Sequence, residues 1–121
     1  MSMKVLIADG SKAERSKLRR LLSKVKNLHL IFEAGDVDSA IDVIRSHYPD
    51  TIIIDIHLSR NQGFKILDYL IHHDLEMLVV VLTRLTDISQ RRKSYELGAH
   101  YFLDKAGGGI DKLVRLMQEY A

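Results

Sequence analysis

The sequence predicts an α/β fold in which five β-strands alternate with five α-helices to form a doubly wound (βα)5 sheet. Several short apolar runs lack polar alternation, as at residues 52–54 and 77–82, which is typical of strands buried on both faces of a parallel sheet. Segments with apolar residues at helical spacing follow such runs. The regular alternation, without repeats or linkers, indicates that residues 1–121 form a single domain.

The first βα unit is marked by a strand end and a helix start. The strand is predicted at residues 4–8 and ends at Asp9. Ser11 is predicted to cap the following helix, because Glu14 lies three residues later at the spacing of a capping box. The inward face of this helix carries four apolar residues, Leu18, Leu21, Leu22 and Val25.

The second and third strands are predicted from different patterns. Residues 28–33 alternate loosely and indicate an edge strand, after which Asp36 leads into the second helix. Residues 52–54 are all isoleucine and indicate a buried strand that ends at Asp55. The third helix begins after Gly63, and its apolar residues at helical spacing are Phe64, Ile66, Leu67, Leu70 and Ile71.

The last two units complete the predicted sheet. Residues 77–82 form the longest apolar run, which ends at Thr83. The helix predicted over residues 87–97 is weakly amphipathic and is expected to be the least firmly seated. Residues 100–103 form the fifth strand, and Lys105 lies just beyond its end. The final helix places four apolar residues on one face, Ile110, Leu113, Val114 and Met117.

The composition excludes several classes of protein. The chain has 121 residues, of which 46% are hydrophobic, and a formal net charge of +2, which does not favour a nucleic-acid partner. The absence of cysteine excludes a disulfide framework, a thiolate zinc site and a cysteine nucleophile. No apolar run reaches the length of a membrane span, and Asp9 interrupts the apolar segment near the N-terminus. A cytoplasmic protein without membrane contact is therefore predicted.

Four polar residues follow the predicted strands and are expected to meet at one edge of the sheet. These are Asp9, Asp55, Thr83 and Lys105. Ligands of open parallel sheets collect outside the carboxyl ends of the strands. Carboxylates suit Mg²⁺, whereas a threonine hydroxyl and a lysine ammonium suit phosphoryl oxygens. An aspartate can also accept a phosphoryl group itself, as an acyl phosphate. Taken singly, each residue could instead be a cap, a strand-end hydrogen bonder or a surface lysine.

The chain resembles the receiver domain of two-component response regulators over essentially its whole length. The matching stretches, in the same order and spacing, are residues 5–11 (VLIADGS), 48–58 (YPDTIIIDIHL), 62–63 (QG), 81–83 (VLT) and 98–105 (GAHYFLDK). The resemblance implies a flavodoxin-like sheet in the strand order 2-1-3-4-5 with helices on both faces. It also implies a signalling module of a phosphorelay rather than an enzyme.

The resemblance assigns roles at the edge of the sheet. Asp55 takes the position of the phosphoacceptor, and Thr83 and Lys105 take those of the residues that engage the phosphoryl group. Asp9 and the backbone carbonyl of His57, together with Asp55, take the positions of Mg²⁺ ligands. The phosphoryl donor implied is a histidine kinase or a phosphotransfer protein.

The resemblance also implies an output surface. Phe102 takes the position of the switch aromatic, which is expected to rotate inward when the threonine moves. In the family the fourth helix, the fifth strand and the fifth helix form the common partner surface. Arg91, Arg92 and Tyr95 are therefore candidates for contact with a downstream protein, although a charged cluster of this kind is usually a solvated face. A homodimer is left open, and direct nucleic-acid binding is not expected.

Four positions depart from the family pattern, and one of them is Ser59, which replaces a proline that commonly follows the aspartate strand. Gly10 stands where a second acid is usual, so we expect Mg²⁺ affinity to fall by about tenfold or more and Asp55 to ionise more easily. Arg84 stands where a small residue is usual, and its guanidinium is expected either to reach the phosphoryl oxygens or to point to solvent. Ala106 replaces a proline whose preceding bond is often cis, so a trans bond after Lys105 is predicted.

The sequence is compatible with more than one function. The leading interpretation is a stand-alone receiver, with its output in a partner or in a longer parent protein. A pseudo-receiver, which binds a partner regardless of phosphorylation, is favoured by Gly10 and opposed by the retained site residues. A phosphatase similar to the haloacid dehalogenases would use Asp9 as nucleophile, but Ser11 stands where that chemistry needs a second acid.

Overall fold

The computed structural model describes residues 3–120 and contains one sheet of five parallel strands in the order β2-β1-β3-β4-β5. This confirms the predicted fold and strand order. The strands are β1 (Met3–Ala8), β2 (Leu28–Ala34), β3 (Thr51–Ile54), β4 (Leu78–Thr83) and β5 (Tyr101–Asp104).

Five helices connect and flank these strands, on both faces of the sheet. They are α1 (Lys12–Leu22), α2 (Val37–His47), α3 (Phe64–His72), α4 (Ile88–Glu96) and α5 (Gly109–Tyr120). A short helical turn, Leu58–Asn61, lies between β3 and α3. Buried residues of α2 and α3 join one apolar cluster, and those of α1 and α5 join a second cluster on the opposite face.

The central strands are buried on both faces, which explains their lack of polar alternation. Ile52 and Ile54 point into the cluster beneath α2 and α3, whereas Ile53 points into the cluster beneath α1 and α5. All three are almost completely buried. Because successive side chains of a strand face opposite ways, a run of isoleucine fills two cores at once.

Leu21 and Ile71, both predicted on inward helix faces, belong to neither apolar cluster of the described residues. Ile71 is 55% exposed, although its spacing matches that of the buried residues of α3. It lies in the last turn of α3 and lines a cavity together with Tyr48, Met77 and Tyr120. Helical spacing gives the face on which a residue lies, but does not give whether another element covers that residue.

Helix α4 is weakly seated, as predicted. Within α4 the buried residue is Ser94, whose hydroxyl donates to the carbonyl of Gln90. Ile88, at its first turn, is largely exposed. None of the helices in residues 3–120 combines the length and apolar character needed to span a bilayer.

The strand order brings the ends of β1, β3 and β4 side by side. Ala8 pairs with Ile54 in the parallel register, so the residues that follow them, Asp9 and Asp55, lie next to each other. Thr83 ends the neighbouring strand, where it pairs with Asp104 of β5. The carboxyl edge of the sheet therefore collects the four residues singled out from the sequence.

Candidate functional site

The ammonium group of Lys105 joins the two aspartates at this edge. Its Nζ lies 2.6 Å from Asp9 Oδ2 and 2.8 Å from Asp55 Oδ2. The Lys105 side chain is only 1% exposed. Its backbone N–H donates to the carbonyl of Thr83, which continues the β4–β5 pairing by one residue. The sheet thus aims the lysine at both carboxylates.

The second oxygen of Asp55 has its own donors. Asp55 Oδ1 accepts hydrogen bonds from Thr83 Oγ1 and from the backbone N–H of His57, each at 2.9 Å. The Thr83 hydroxyl oxygen accepts in turn from the backbone N–H of Leu85 at 3.2 Å. Four predicted site residues, Asp9, Asp55, Thr83 and Lys105, therefore form one connected hydrogen-bond network.

This network holds Asp55 and Lys105 in their charged forms. Burial raises the pKa of Asp55, but the hydrogen bonds from Lys105 and the His57 amide outweigh it, so the pKa of Asp55 lies below its usual value. Burial lowers the pKa of Lys105, but its hydrogen bonds to Asp55 and Asp9 outweigh this and raise it overall. The site holds an ionised carboxylate beside a fixed positive charge.

The predicted capping box at the start of α1 forms only in half. Ser11 Oγ accepts from the backbone N–H of Glu14 at 3.2 Å, as predicted. The reciprocal bond of a capping box would run from the Ser11 N–H to the Glu14 carboxylate. It is replaced here, because the Ser11 N–H donates to Asp9 Oδ1 at 2.9 Å. The carboxylate of Glu14 turns instead to Arg84, whose Nη1 lies 2.6 Å from Glu14 Oε1.

Of the two positions expected for Arg84, the structure shows the largely solvent-exposed one. Its side chain is 60% exposed, yet it pairs with Glu14, which is 19% exposed. Both residues line a cavity of about 480 Å³ at the carboxyl edge, together with Asp9, Gly10, Ser11, Asp55, His57 and Lys105. Sequence reasoning missed Glu14 as a site residue. The sequence feature that could have identified Glu14 is its position about one helical turn after Gly10, on the helix that follows β1.

The loop after β3 is tightly wound. Ser59 and Arg60 both have positive φ, 46° and 62°, which is costly for residues with a side chain. The N–H of Gly63 donates to the carbonyl of Ile56 at 3.1 Å and closes the loop beneath Asp55. The peptide bond after Lys105 is trans, as predicted, because residues 3–120 contain no cis bond.

The predicted output residues lie partly together. The Arg91 guanidinium carbon lies 5.8 Å from the Phe102 ring centroid and 5.9 Å from that of Tyr95. Arg92 is exposed on the same helix. Phe102 is only 7% exposed, so the ring is already inside, whereas the sequence-based expectation had it rotate inward on phosphorylation.

The donor set at the carboxyl edge fits Mg²⁺ in the chemistry of its oxygen atoms. Asp9, Asp55 and the backbone carbonyl of His57 offer the oxygen ligands that this ion prefers, and water completes such shells. Gly10 adds no carboxylate, and no group of three or more histidine, aspartate or glutamate side chains within residues 3–120 is placed to hold a metal.

A family model described as the response regulator receiver domain matches residues 5–118. The chain belongs to this family. Receiver domains of response regulators serve two-component signalling and are generally not enzymes. The matched range includes the strand ends that carry Asp9, Asp55, Thr83 and Lys105.

Individual relatives agree with this assignment. The response regulator MprA of Mycobacterium tuberculosis is 31% identical over 116 residues, which are 96% of this receiver and 50% of MprA. A LuxR-family response regulator from Aurantimonas superposes with a TM-score of 0.88 at 20% identity, covering 99% of this chain and 85% of that one. The receiver domain of the Francisella response regulator 1452 gives a TM-score of 0.84 at 22% identity, with 98% of each chain covered. This receiver thus spans about half the length of MprA, and the two structures share its fold.

Proposed function

We propose that residues 1–121 act as a single receiver domain that accepts a phosphoryl group on Asp55 and changes its binding to a partner protein. The observation that carries this proposal is the position of the Asp55 carboxylate, held ionised between Lys105 and Thr83 on the wall of an open cavity. The donor is a phosphohistidine of a histidine kinase or of a phosphotransfer protein.

The transfer is a single displacement at phosphorus. An oxygen of the Asp55 carboxylate attacks the phosphorus atom, the phosphorus–nitrogen bond breaks, and the imidazole leaves with the electron pair. Lys105 and Thr83 already contact this carboxylate and are placed to bind phosphoryl oxygens as the new bond forms. Asp9, Asp55 and the His57 carbonyl would hold Mg²⁺, which supplies positive charge to the phosphoryl oxygens when bound.

The proposal is tested with acetyl phosphate as donor and intact mass as readout, with and without Mg²⁺. One phosphoryl group is expected on the wild type and none on Asp55→Asn, because the amide lacks the nucleophilic oxygen. Asp68→Asn, at an exposed acid of α3, is the matched control and should be phosphorylated like the wild type. Equal addition to Asp55→Asn, or no addition to the wild type, would contradict the proposal.

The output surface proposed is formed by α4, β5 and α5, with Arg91, Arg92 and Tyr95 as contact residues. Because Phe102 is already buried beside Arg91, phosphorylation is proposed to stabilise this packing rather than to create it. Such a switch shifts the populations of two states that differ by a few kcal/mol. The partner then binds the favoured state more tightly.

A pseudo-receiver is the second candidate, and one observation favours it. Lys105 already neutralises one of the two carboxylates without any phosphoryl group, in a site that lacks an acid at Gly10. In that case Asp55→Asn should leave the affinity for a partner unchanged. A phosphatase that uses Asp9 as nucleophile is disfavoured, because Ser11 stands where that chemistry needs a second acid and the Asp9 side chain is more deeply buried than that of Asp55.

Restoring the missing acid should strengthen metal binding. A Cβ added at Gly10 would lie 3.9 Å from the Gly35 carbonyl oxygen and 4.0 Å from the Ser59 nitrogen, so a side chain fits there. We expect Gly10→Asp to raise Mg²⁺ affinity by about tenfold, as a third charged oxygen donor joins the site. Calorimetric titration measures this, and Gly10→Asn is the control of equal shape without the charge. Equal affinities for Gly10→Asp and the wild type would contradict the assignment of this edge as the metal site.

A further inference from the structure

We propose that Arg84 is a phosphoryl-binding residue held in reserve by Glu14, and that its guanidinium moves from Glu14 to the phosphoryl group when Asp55 is phosphorylated. This inference rests on the proposed function of Asp55. It goes beyond that function because it names a further binding residue, the residue that restrains it, and an exchange of ion pairs between the resting and phosphorylated states.

The placement of Arg84 carries the first step of the inference. It directly follows Thr83, whose hydroxyl contacts Asp55, so its backbone is fixed at the site by β4. Its side chain lies at the rim of the cavity that Asp55 and Lys105 also line. With 60% of the side chain exposed, the guanidinium is not locked by packing and can change rotamer at little cost.

Glu14 is positioned to act as the restraint. The backbone N–H of Glu14 donates a hydrogen bond to the Ser11 hydroxyl oxygen, and this bond fixes the start of α1 beside the cavity. The donor that a capping box would offer to its carboxylate, the Ser11 N–H, is taken by Asp9. The carboxylate is therefore available to Arg84, and the two meet at 2.6 Å. The restraint follows directly from the incomplete capping box.

The charges favour exchange once the phosphoryl group is present. Asp9, Asp55 and Lys105 together carry one net negative charge at rest. Phosphorylation replaces the single negative charge of Asp55 with about two on the acyl phosphate, a net gain of about one, and provides three acceptor oxygens. An arginine fork binds such a group through two hydrogen bonds, whereas Glu14 offers a single carboxylate near solvent. The pKa of Arg84 is raised chiefly by Glu14 and also by the charges of Asp55 and Asp9, so the field of the cavity already reaches the guanidinium.

The test measures the rate of phosphorylation by acetyl phosphate in EDTA and in Mg²⁺, followed by intact mass. In EDTA we expect Arg84→Ala to be about tenfold slower than the wild type, the effect of a lost charge-assisted contact. Glu14→Gln should be several-fold faster, because the guanidinium is released. In the double variant the gain from Glu14→Gln should vanish, since no guanidinium remains to release.

Controls separate this exchange from simpler effects. Arg45→Ala removes an exposed arginine of α2, away from the cavity, and should match the wild type. Arg84→Lys keeps the charge without the fork and should fall between the wild type and Arg84→Ala. Thermal unfolding of each variant checks that the fold is intact.

Two results would overturn the proposed role of Arg84 while leaving the proposed function of Asp55 intact. In one, wild type and Arg84→Ala are phosphorylated at the same rate. In the other, Glu14→Gln accelerates the reaction equally in the Arg84→Ala background, so that Glu14 acts only as a repulsive charge. If the folded wild type accepts no phosphoryl group with or without Mg²⁺, the proposed function of Asp55 fails and the inference fails with it.

Discussion

Replacing Lys105 with methionine is expected to lower the free energy of unfolding by about 3–5 kcal/mol at neutral pH, the usual effect of removing one partner from a buried ion pair. Methionine fills similar volume, so the loss is electrostatic. Asp9 and Asp55 would remain side by side in a buried site without the ammonium group that lies within 2.8 Å of both. Two buried carboxylates so close to each other resist being charged together.

The effect should depend on pH in a defined direction. In the wild type the lowered pKa of Asp55 stabilises the fold above the ordinary aspartate pKa of about 3.9, and this contribution is lost as the pH falls through the folded-state value. The raised pKa of Lys105 stabilises the fold below the ordinary lysine pKa of about 10.4. This stabilisation is lost as the pH rises through the folded-state pKa of Lys105. In Lys105→Met the pKa of a remaining carboxyl group rises, so the difference from the wild type should narrow as the pH falls towards about 4.

Urea unfolding of the wild type and of Lys105→Met, between about pH 4 and about pH 10, measures the difference in their free energies of unfolding. A second substitution, Asp55→Asn, should restore much of the stability of Lys105→Met, because it removes one of the two facing charges. This rescue distinguishes charge repulsion from a packing defect. A loss of stability that stays constant with pH and is not rescued would show that the lysine acts through its volume instead.

Gly63→Ala should destabilise the fold by about 1–3 kcal/mol through overpacking against backbone atoms. A Cβ at this position would lie 2.6 Å from the carbonyl oxygen of Asp55 and 2.8 Å from the Cα of Ile56. Backbone cannot rotate aside as a flexible side chain can, so β3 or the start of α3 must shift. The shift begins at Asp55 itself, and phosphorylation should slow as well.

Chemical denaturation and the acetyl phosphate reaction measure the two consequences of Gly63→Ala separately. Gly10→Ala is the matched control, because an added Cβ there makes only ordinary contacts with Gly35 and Ser59. It should unfold at nearly the wild-type urea concentration. If Gly63→Ala matched this control, the close approach of α3 to the end of β3 would not constrain the site.

The fold was predictable because its signals are local. An isoleucine run such as residues 52–54 can be buried on both faces only in a covered parallel sheet, and a strand–helix alternation then leaves few topologies. The convergence of Asp9, Asp55, Thr83 and Lys105 follows from the same logic, since parallel strands end at one edge. These predictions required the direction of each strand but no knowledge of side-chain contacts.

The remaining features depend on competition between partners that are distant in sequence. The capping-box spacing of Ser11 and Glu14 predicts a local bond, but Asp9 takes the Ser11 N–H and Arg84, seventy positions along the chain, takes the Glu14 carboxylate. Phe102 is buried partly by Arg91 of a helix with little amphipathy of its own. Sequence periodicity predicts which face of a segment is buried. It does not predict which of several distant partners a given side chain will contact.

The open space at Gly10 also bears on how this receiver can change over generations. One nucleotide substitution converts any glycine codon into a codon for aspartate or glutamate, and a Cβ added here makes only ordinary contacts. A lineage could therefore gain or lose tight metal dependence in one mutational step, while Asp55, Thr83 and Lys105 stay in place. Under the proposed function, the ionic conditions under which the domain accepts a phosphoryl group are then open to selection separately from the fold and from the proposed phosphoacceptor.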